Sequence, residues 1–299
     1  MYEEAFFHLL NSLHRRHGLD ELVLAGGCAM NSVANGKVYR NTPFRRLYVQ
    51  SAAGDAGGAI GAAFAVWSEL SKGKRRFAMD HAYWGPSFTN DEIGSLLASR
   101  RAEIESAACE ARREDDEATL CESTARAISQ GDVVGWFQGR MEWGPRALGN
   151  RSIVCDPRRA DMKEILNRKI KRRESFRPFA PSVLREATAD WFETDDDVPF
   201  MMQVYPIRPE KRALIPAVTH VDGSGRLQTV VRETNPRYYR LIEAFNSLTG
   251  VPMVLNTSFN ENEPVVCRPE EALDCFLRTR MDLLVMGDWV VRRRNNVTA

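Results

Sequence analysis

One stretch in the second half of the chain gathers three arginines and a carboxylate between glycine and proline turns: Gly139-Arg140-Met141-Glu142-Trp143-Gly144-Pro145-Arg146-Ala147-Leu148-Gly149-Asn150-Arg151-Ser152. Lys171, Arg172, Arg173, Glu174, Phe176 and Arg177 follow, and then the stiff Pro178-Phe179-Ala180-Pro181. Arg226 ends His220-Val221-Asp222-Gly223-Ser224-Gly225-Arg226, and Asn256-Thr257-Ser258-Phe259-Asn260 sets small polar side chains in one turn. Arginines held by turns suit bidentate recognition of phosphate, carboxylate or carbamoyl phosphate. A solvated basic face, the usual meaning of a charge run, accounts for Arg158, Arg159, Lys163, Arg172 and Arg173. It does not account for Arg146 and Arg177, which sit among apolar and turn residues. Stacking aromatics are not interleaved with these charges, which argues against nucleic acid.

Two glycine-rich turns lie near the other end. Gly26-Gly27-Cys28-Ala29-Met30-Asn31 follows a short apolar run, and its glycines let backbone N–H groups approach a phosphate or ribose. A tight strand-to-helix turn without a ligand explains it equally well. Asp55 stands alone in Gly54-Asp55-Ala56-Gly57-Gly58. A metal or Mg-phosphate ligand is one reading. Taken alone, an Asx-turn or a cap of the helix that follows is the better one. His14 and His17 read as surface residues of the first helix. No G-x-x-x-x-G-K-[ST] occurs, so a P-loop is excluded.

The elements that must carry these residues alternate. Phe6 to Leu13 is apolar at helical spacing and Gly18 can stop the helix. Leu22–Ala25 and Leu47–Val49 read as strands, each leading into a glycine turn, and a small-residue helix runs on to Leu70. Asn90-Asp91-Glu92 caps a further helix, and Glu110 to Glu117 reads as a solvated face or loop. A second unit then opens with a helix over 119–130 and the strand Val133–Phe137. Core strands are expected at 180–184, 251–255 and 283–286, and helices at 161–173, 236–245 and 269–278. The whole is α/β, mixed α+β, with residues 1–72 as a first unit, 73–118 as a linker and connecting helix, and 119–299 as a second unit.

Composition bounds the function. With 41 Lys+Arg against 40 Asp+Glu the net charge is +1, so no global field recruits a polyanion. The most apolar stretch, Gly57 to Trp67, is short of the ~20 residues that a membrane span needs. The acidic start, Met1-Tyr2-Glu3-Glu4, is unlike a signal peptide. The six cysteines include no C-x-x-C, which supports neither zinc nor a redox dithiol and reads as free thiols in a reducing cytoplasm. The expectation is a cytoplasmic protein that engages neither nucleic acid nor membrane.

Six segments, taken in order, resemble the O-carbamoyltransferase family of nodulation-factor and antibiotic-tailoring enzymes: GGCAMNSVANG, GDAGGAIGAA, GRMEWGPRALGNRSI, KRRESFRPFAPS, HVDGSGRLQTV and NTSFNENEPVV. The resemblance spans essentially the whole chain. It implies an actin/sugar-kinase-like (ASKHA) domain, here only in part, followed by a YrdC-like domain. The YrdC-like part would condense carbamoyl phosphate with ATP to carbamoyladenylate. The kinase-like part would pass the carbamoyl group to a hydroxyl of a sugar or natural-product acceptor, beside a divalent metal, iron or magnesium. By matching, Lys171, Arg177 and Arg146 take catalytic roles, and Arg226, Asn256, Ser258 and Arg151 bind carbamoyl phosphate or the adenylate. Gly26, Gly27 and Asn31 contact nucleotide, and Asp55 ligates the metal. The family's first domain begins upstream of Met1 and brings an H-x-x-x-H pair that is absent here. The expectation is therefore a chain without the N-terminal half of that domain, active as it stands or else completed by a separate N-terminal chain or a second copy. Hydrogenase-maturation and tRNA-modifying relatives fit less well, because the order of the two domains differs and the charge is neutral.

Overall fold

In the computed structural model, which describes residues 1–73, 77–171 and 178–294, eleven strands form two sheets. β1 (Glu21–Leu24) and β2 (Arg46–Val49) pair in parallel as a small sheet of their own. The large sheet runs β3 (Cys109–Arg113), β11 (Trp289–Arg293), β10 (Leu283–Met286), β4 (Val134–Phe137), β5 (Arg151–Cys155), β9 (Met253–Ser258), β6 (Ala180–Leu184), β8 (Ser224–Val230) and β7 (Gln203–Pro206). Only β4–β10 and β6–β8 are parallel within it, so the fold is mixed α/β, as expected. The central strands are buried along their whole length, and their Val, Ile, Leu and Trp residues make the main core.

The helices form where apolar spacing and end signals agree. The first, Tyr2–His17, stops at Gly18, whose φ of 63° is the left-handed conformation that glycine adopts without strain. The helix Asn90–Ser99 is capped by Thr89, one residue before the expected cap, in a reciprocal capping box with Glu92. Helices Glu117–Ser129 and Pro236–Thr249 pack on one another and against the central strands. The expected helix over 161–173 is divided within its described residues: Met162–Leu166 is α-helical, and Asn167–Lys171 widens into a π-type turn.

The charged run after Cys109, expected as a solvated face or loop, is the solvent-exposed edge strand β3. Its side chains are exposed while Cys109 is buried, and charged side chains on an edge discourage pairing with another chain. Within 73–118, expected as a linker and connecting helix, this strand pairs with β11 and the helix Asn90–Ser99 packs against β11. Asn90 bonds Asp288 through its side chain, and Gly94 lets the helix lie against Trp289, where an added Cβ would fall 2.8 Å from the ring. β5, β7, β8 and β11 have no counterpart in the periodicity reading; in β5 and β8 the apolar pattern is broken by Ser152, Arg226 and Gln228, which share the polar face.

The small N-terminal sheet docks on the β7 end of the large one. Asn35 donates to the carbonyls of Ala29 (2.7 Å) and Met202 (3.0 Å). Gly36 lies so close to the Val204 carbonyl that any Cβ there would overlap it. Ala29, Val49, Ala53, Leu148, Ala180 and Met202 share one core cluster across this junction.

Candidate active site

The register of the large sheet puts its polar residues on one face. Ser152 of β5 opposes Ser258 of β9, and Ser182 of β6 pairs with Gln228 of β8. Asn256 lies two residues from Ser258, and Arg226 and Ser224 follow Gln228 at intervals of two, so all share that face. The interior of a sheet covered on both sides is normally apolar. Here it carries a connected network. Asn256 donates through Nδ2 to the Ala147 carbonyl (3.1 Å), Ser182 Oγ (3.0 Å) and Gln228 Oε1 (3.0 Å). Gln228 donates to the Leu148 carbonyl at 2.8 Å. The Asn256 Oδ1 atom is buried with no hydrogen-bond donor among the described residues.

The loop from Glu142 to Asn150 lies over this face, held from below by those two carbonyl contacts. Glu142, itself buried, holds it from within: one carboxylate oxygen accepts the N–H groups of Leu148 (2.7 Å), Asn150 (2.7 Å) and Arg151 (3.2 Å). Gly149, at φ 111°, sits where a side chain would overlap the Tyr238 ring. Arg146 is carried at the middle of this fixed loop. Its guanidinium is half-buried, makes no ion pair or hydrogen bond among the described residues, and has a buried Nε without an acceptor. Burial lowers its pKa from the usual guanidinium value, and it stays charged. A partly desolvated arginine with no counter-charge among the described residues is chemically suited to pair with an anion.

Lys171 comes to the end of β9 and is almost fully buried. Its ammonium donates to Ser258 O (2.6 Å), Asn260 O (2.8 Å) and Asn260 Oδ1 (2.6 Å), with Ser258 Oγ at 3.2 Å. Lys171 thus fixes the turn that presents Ser258. Arg177, expected beside it, lies outside the described residues. Arg151 is placed apart from the others. It is a neighbour of Ser152 and points to the opposite face, with its guanidinium 3.7 Å over the Phe137 ring. Its N–H groups donate to the carbonyls of Gln138 (2.6 Å), Asn150 (3.0 Å) and Pro86 (3.2 Å). Burial pulls its pKa down to about 10. That environment explains Arg151 as an internal brace of the loop.

His220 adds a group that residue spacing did not single out. Ser224 Oγ donates its one hydrogen to Asp222 Oδ1 at 2.6 Å, so it can only accept from His220 Nδ1, 3.1 Å away. Burial pushes the imidazole below its usual value; Asp222 opposes this, and Arg226 and Lys163 add to it. Lys163 is not on a solvated face as expected. It is half-buried and donates to the Thr219 carbonyl at 3.0 Å. Arg158 pairs with the buried Asp156, so it is not a solvated charge as expected, whereas Arg159 pairs with the exposed Asp161.

The N-terminal turns meet the same loop. Gly26, at φ 99°, donates its N–H to the Ala53 carbonyl at 2.7 Å, which ties the two glycine turns together. Ser51 donates to the Trp143 carbonyl at 2.8 Å, and Gly144 leaves no room for a Cβ beside the Ser51 carbonyl. A Cβ added at Gly26 or Gly27 would meet nothing within 4 Å, so the turn is open to a ligand. Asn31 caps the short helix Ser32–Asn35, accepting the Ala34 N–H at 3.2 Å. Asp55 is exposed and does not cap the helix Gly57–Ser71, whose cap position is Ala56. Among the described residues no three His, Cys, Asp or Glu side chains come together as a metal site. No described helix is long and apolar enough to cross a membrane.

Comparison with known proteins bears on the family of the chain. Residues 125–293 match the carbamoyltransferase C-terminus family model and residues 1–64 match the carbamoyltransferase N-terminus model. The second match gives no support to the expectation that an N-terminal half is lacking. The nodulation protein NolNO of Sinorhizobium fredii is 45% identical over 98% of this chain and 42% of its own length. The 3'-hydroxymethylcephem-O-carbamoyltransferase of Amycolatopsis lactamdurans is 34% identical over 91% of this chain and 49% of its own. The chain thus spans about half the length of the curated relatives it matches. Among solved structures, full-length HypF in its phosphate- and nucleotide-bound form aligns with a TM-score of 0.41 at 18% identity, over 62% of this chain and 22% of that one. On the family match that covers most of the large sheet, the chain belongs to the carbamoyltransferase family.

Proposed function

We propose that the polar face of the large sheet binds carbamoyl phosphate and ATP and activates the carbamoyl group as carbamoyladenylate, for transfer to a hydroxyl of a small-molecule acceptor. The observation that carries this reading is Arg146: a half-buried guanidinium with no counter-charge among the described residues, fixed by the Glu142 staple. Carbamoyl phosphate is a small dense anion whose phosphate gains charge as it leaves, and a pre-positioned guanidinium stabilises that charge without reorganising. Lys171 and Ser258 border the same face, and the bare Asn256 Oδ1 is an acceptor suited to an amide N–H. Arg226 adds a second cation on β8, and Arg177 is assigned beside Lys171 by its motif alone.

The Gly26-Gly27 turn, one core cluster away, is the place for the nucleotide or the transfer step. Its proximity to the Trp143–Leu148 loop supports a short, protected path for an intermediate that water would hydrolyse. A relative named for carbamoylating a hydroxymethyl group suggests the acceptor class. The partner-dependent, inactive alternative is not favoured, since family matches fall in both units of this chain.

The test is ATP–pyrophosphate exchange dependent on carbamoyl phosphate. Arg146→Ala is expected to lower the exchange by about a hundredfold or more while the protein stays folded. Unchanged exchange in that variant would remove the assignment.

A further inference from the structure

The motif His220–Arg226 does more than supply an arginine. With the Ser224 hydrogen committed to Asp222, the His220 Nδ1 carries the imidazole proton and Nε2 is left as a lone pair. That Nε2 is buried and has no hydrogen-bond partner among the described residues. The ring sits against Ser224, on the sheet face that carries Arg226 and Gln228, with Lys163 held nearby through the Thr219 carbonyl. A lone pair that feels two nearby cations is badly placed for a phosphate oxygen, which has no hydrogen to give. It is well placed for an N–H or O–H attached to a polyanion that the two cations hold. Resting on the functional reading above, we propose that His220 is a specificity-determining residue that accepts a hydrogen bond from a donor group of the bound substrate. The donor is the amide of carbamoyl phosphate or a ribose hydroxyl of ATP. The site would then reject a substrate of the same shape and charge that lacks the donor, because His220 would stay buried and unpaired.

The experiment measures binding to the full chain by calorimetry in two arms: carbamoyl phosphate against acetyl phosphate, and ATP against 2′-deoxy-ATP. Each is run on the wild type, His220→Ala and His220→Gln. In one arm, His220→Ala is expected to weaken the donor-bearing ligand by on the order of ten- to a hundredfold, and its analogue by less than about twofold. The arm that responds identifies the donor. His220→Gln, whose carbonyl oxygen reaches the Nε2 position, is expected to recover most of the preference. A variant that weakens both members of each pair equally, or neither, overturns the assignment while leaving the functional reading intact. A wild-type chain that binds neither carbamoyl phosphate nor ATP overturns the functional reading and this inference with it.

Discussion

Replacing Glu142 tests the link between the buried staple and the anion site most directly. In the folded chain its carboxylate accepts three backbone N–H groups, two of them at 2.7 Å and one at 3.2 Å, in a place that water does not reach. Hydrogen bonds to a charged group contribute about 1.5–3 kcal/mol each, and a buried donor left without an acceptor costs about 1–3 kcal/mol. The three donors share one oxygen, so their effects do not add in full. For Glu142→Leu we expect a loss of about 3–6 kcal/mol, a large part of the ~5–15 kcal/mol that holds a typical domain. Glu142→Gln keeps an oxygen in place and loses only the charge, for about 1–2 kcal/mol. Urea unfolding followed by tryptophan emission, with carbamoyl phosphate binding measured in parallel below the transition, reads both consequences. The Leu variant should lose affinity as well as stability, since Arg146 is no longer held over the sheet, and the Gln variant should keep most of both. A Leu variant within about 1 kcal/mol of wild type that binds normally would refute the argument, because the loop would then be fixed by something other than this carboxylate.

Other outcomes follow from single contacts. Gly149→Ala forces a side chain into a left-handed backbone position against the Tyr238 ring, and should cost at least about 2 kcal/mol by thermal or urea unfolding. Lys171→Arg should fail to restore binding lost in Lys171→Ala, since a planar fork cannot take oxygens of Ser258 and Asn260 converging on one point. Because the folded His220 has its pKa below the usual value of 6.5, the unfolded chain takes up a proton first as pH falls. Stability should therefore decline as pH drops below about 6.5, until the folded imidazole also titrates, and His220→Gln should flatten that slope in pH-dependent unfolding. Gly36→Ala should loosen the small sheet from β7, seen as faster proteolysis of residues 1–73 with the large sheet still folded.

What the sequence determined by itself is local. Apolar spacing and glycine stops marked the helices Tyr2–His17, Glu117–Ser129 and Pro269–Arg278 and the buried strands β4, β6 and β10, because each such signal is written in neighbouring residues. The motifs also marked which arginines and glycines to weigh as candidates for the site. Only the tertiary structure decided which of them act together. Arg151 and Ser152 are adjacent in sequence and lie on opposite faces of β5, because strand residues alternate; one braces a loop, and the other joins the polar face. Lys163 and Arg158 look alike in a basic run, yet one is drawn beneath Thr219 while the other pairs with Asp156. Glu142 and His220 owe their roles to partners set by folding: three N–H groups that converge only once the loop closes, and a serine whose hydrogen is already committed to Asp222. Convergence of this kind depends on distances between residues far apart or differently oriented along the chain, and no spacing in the sequence records it.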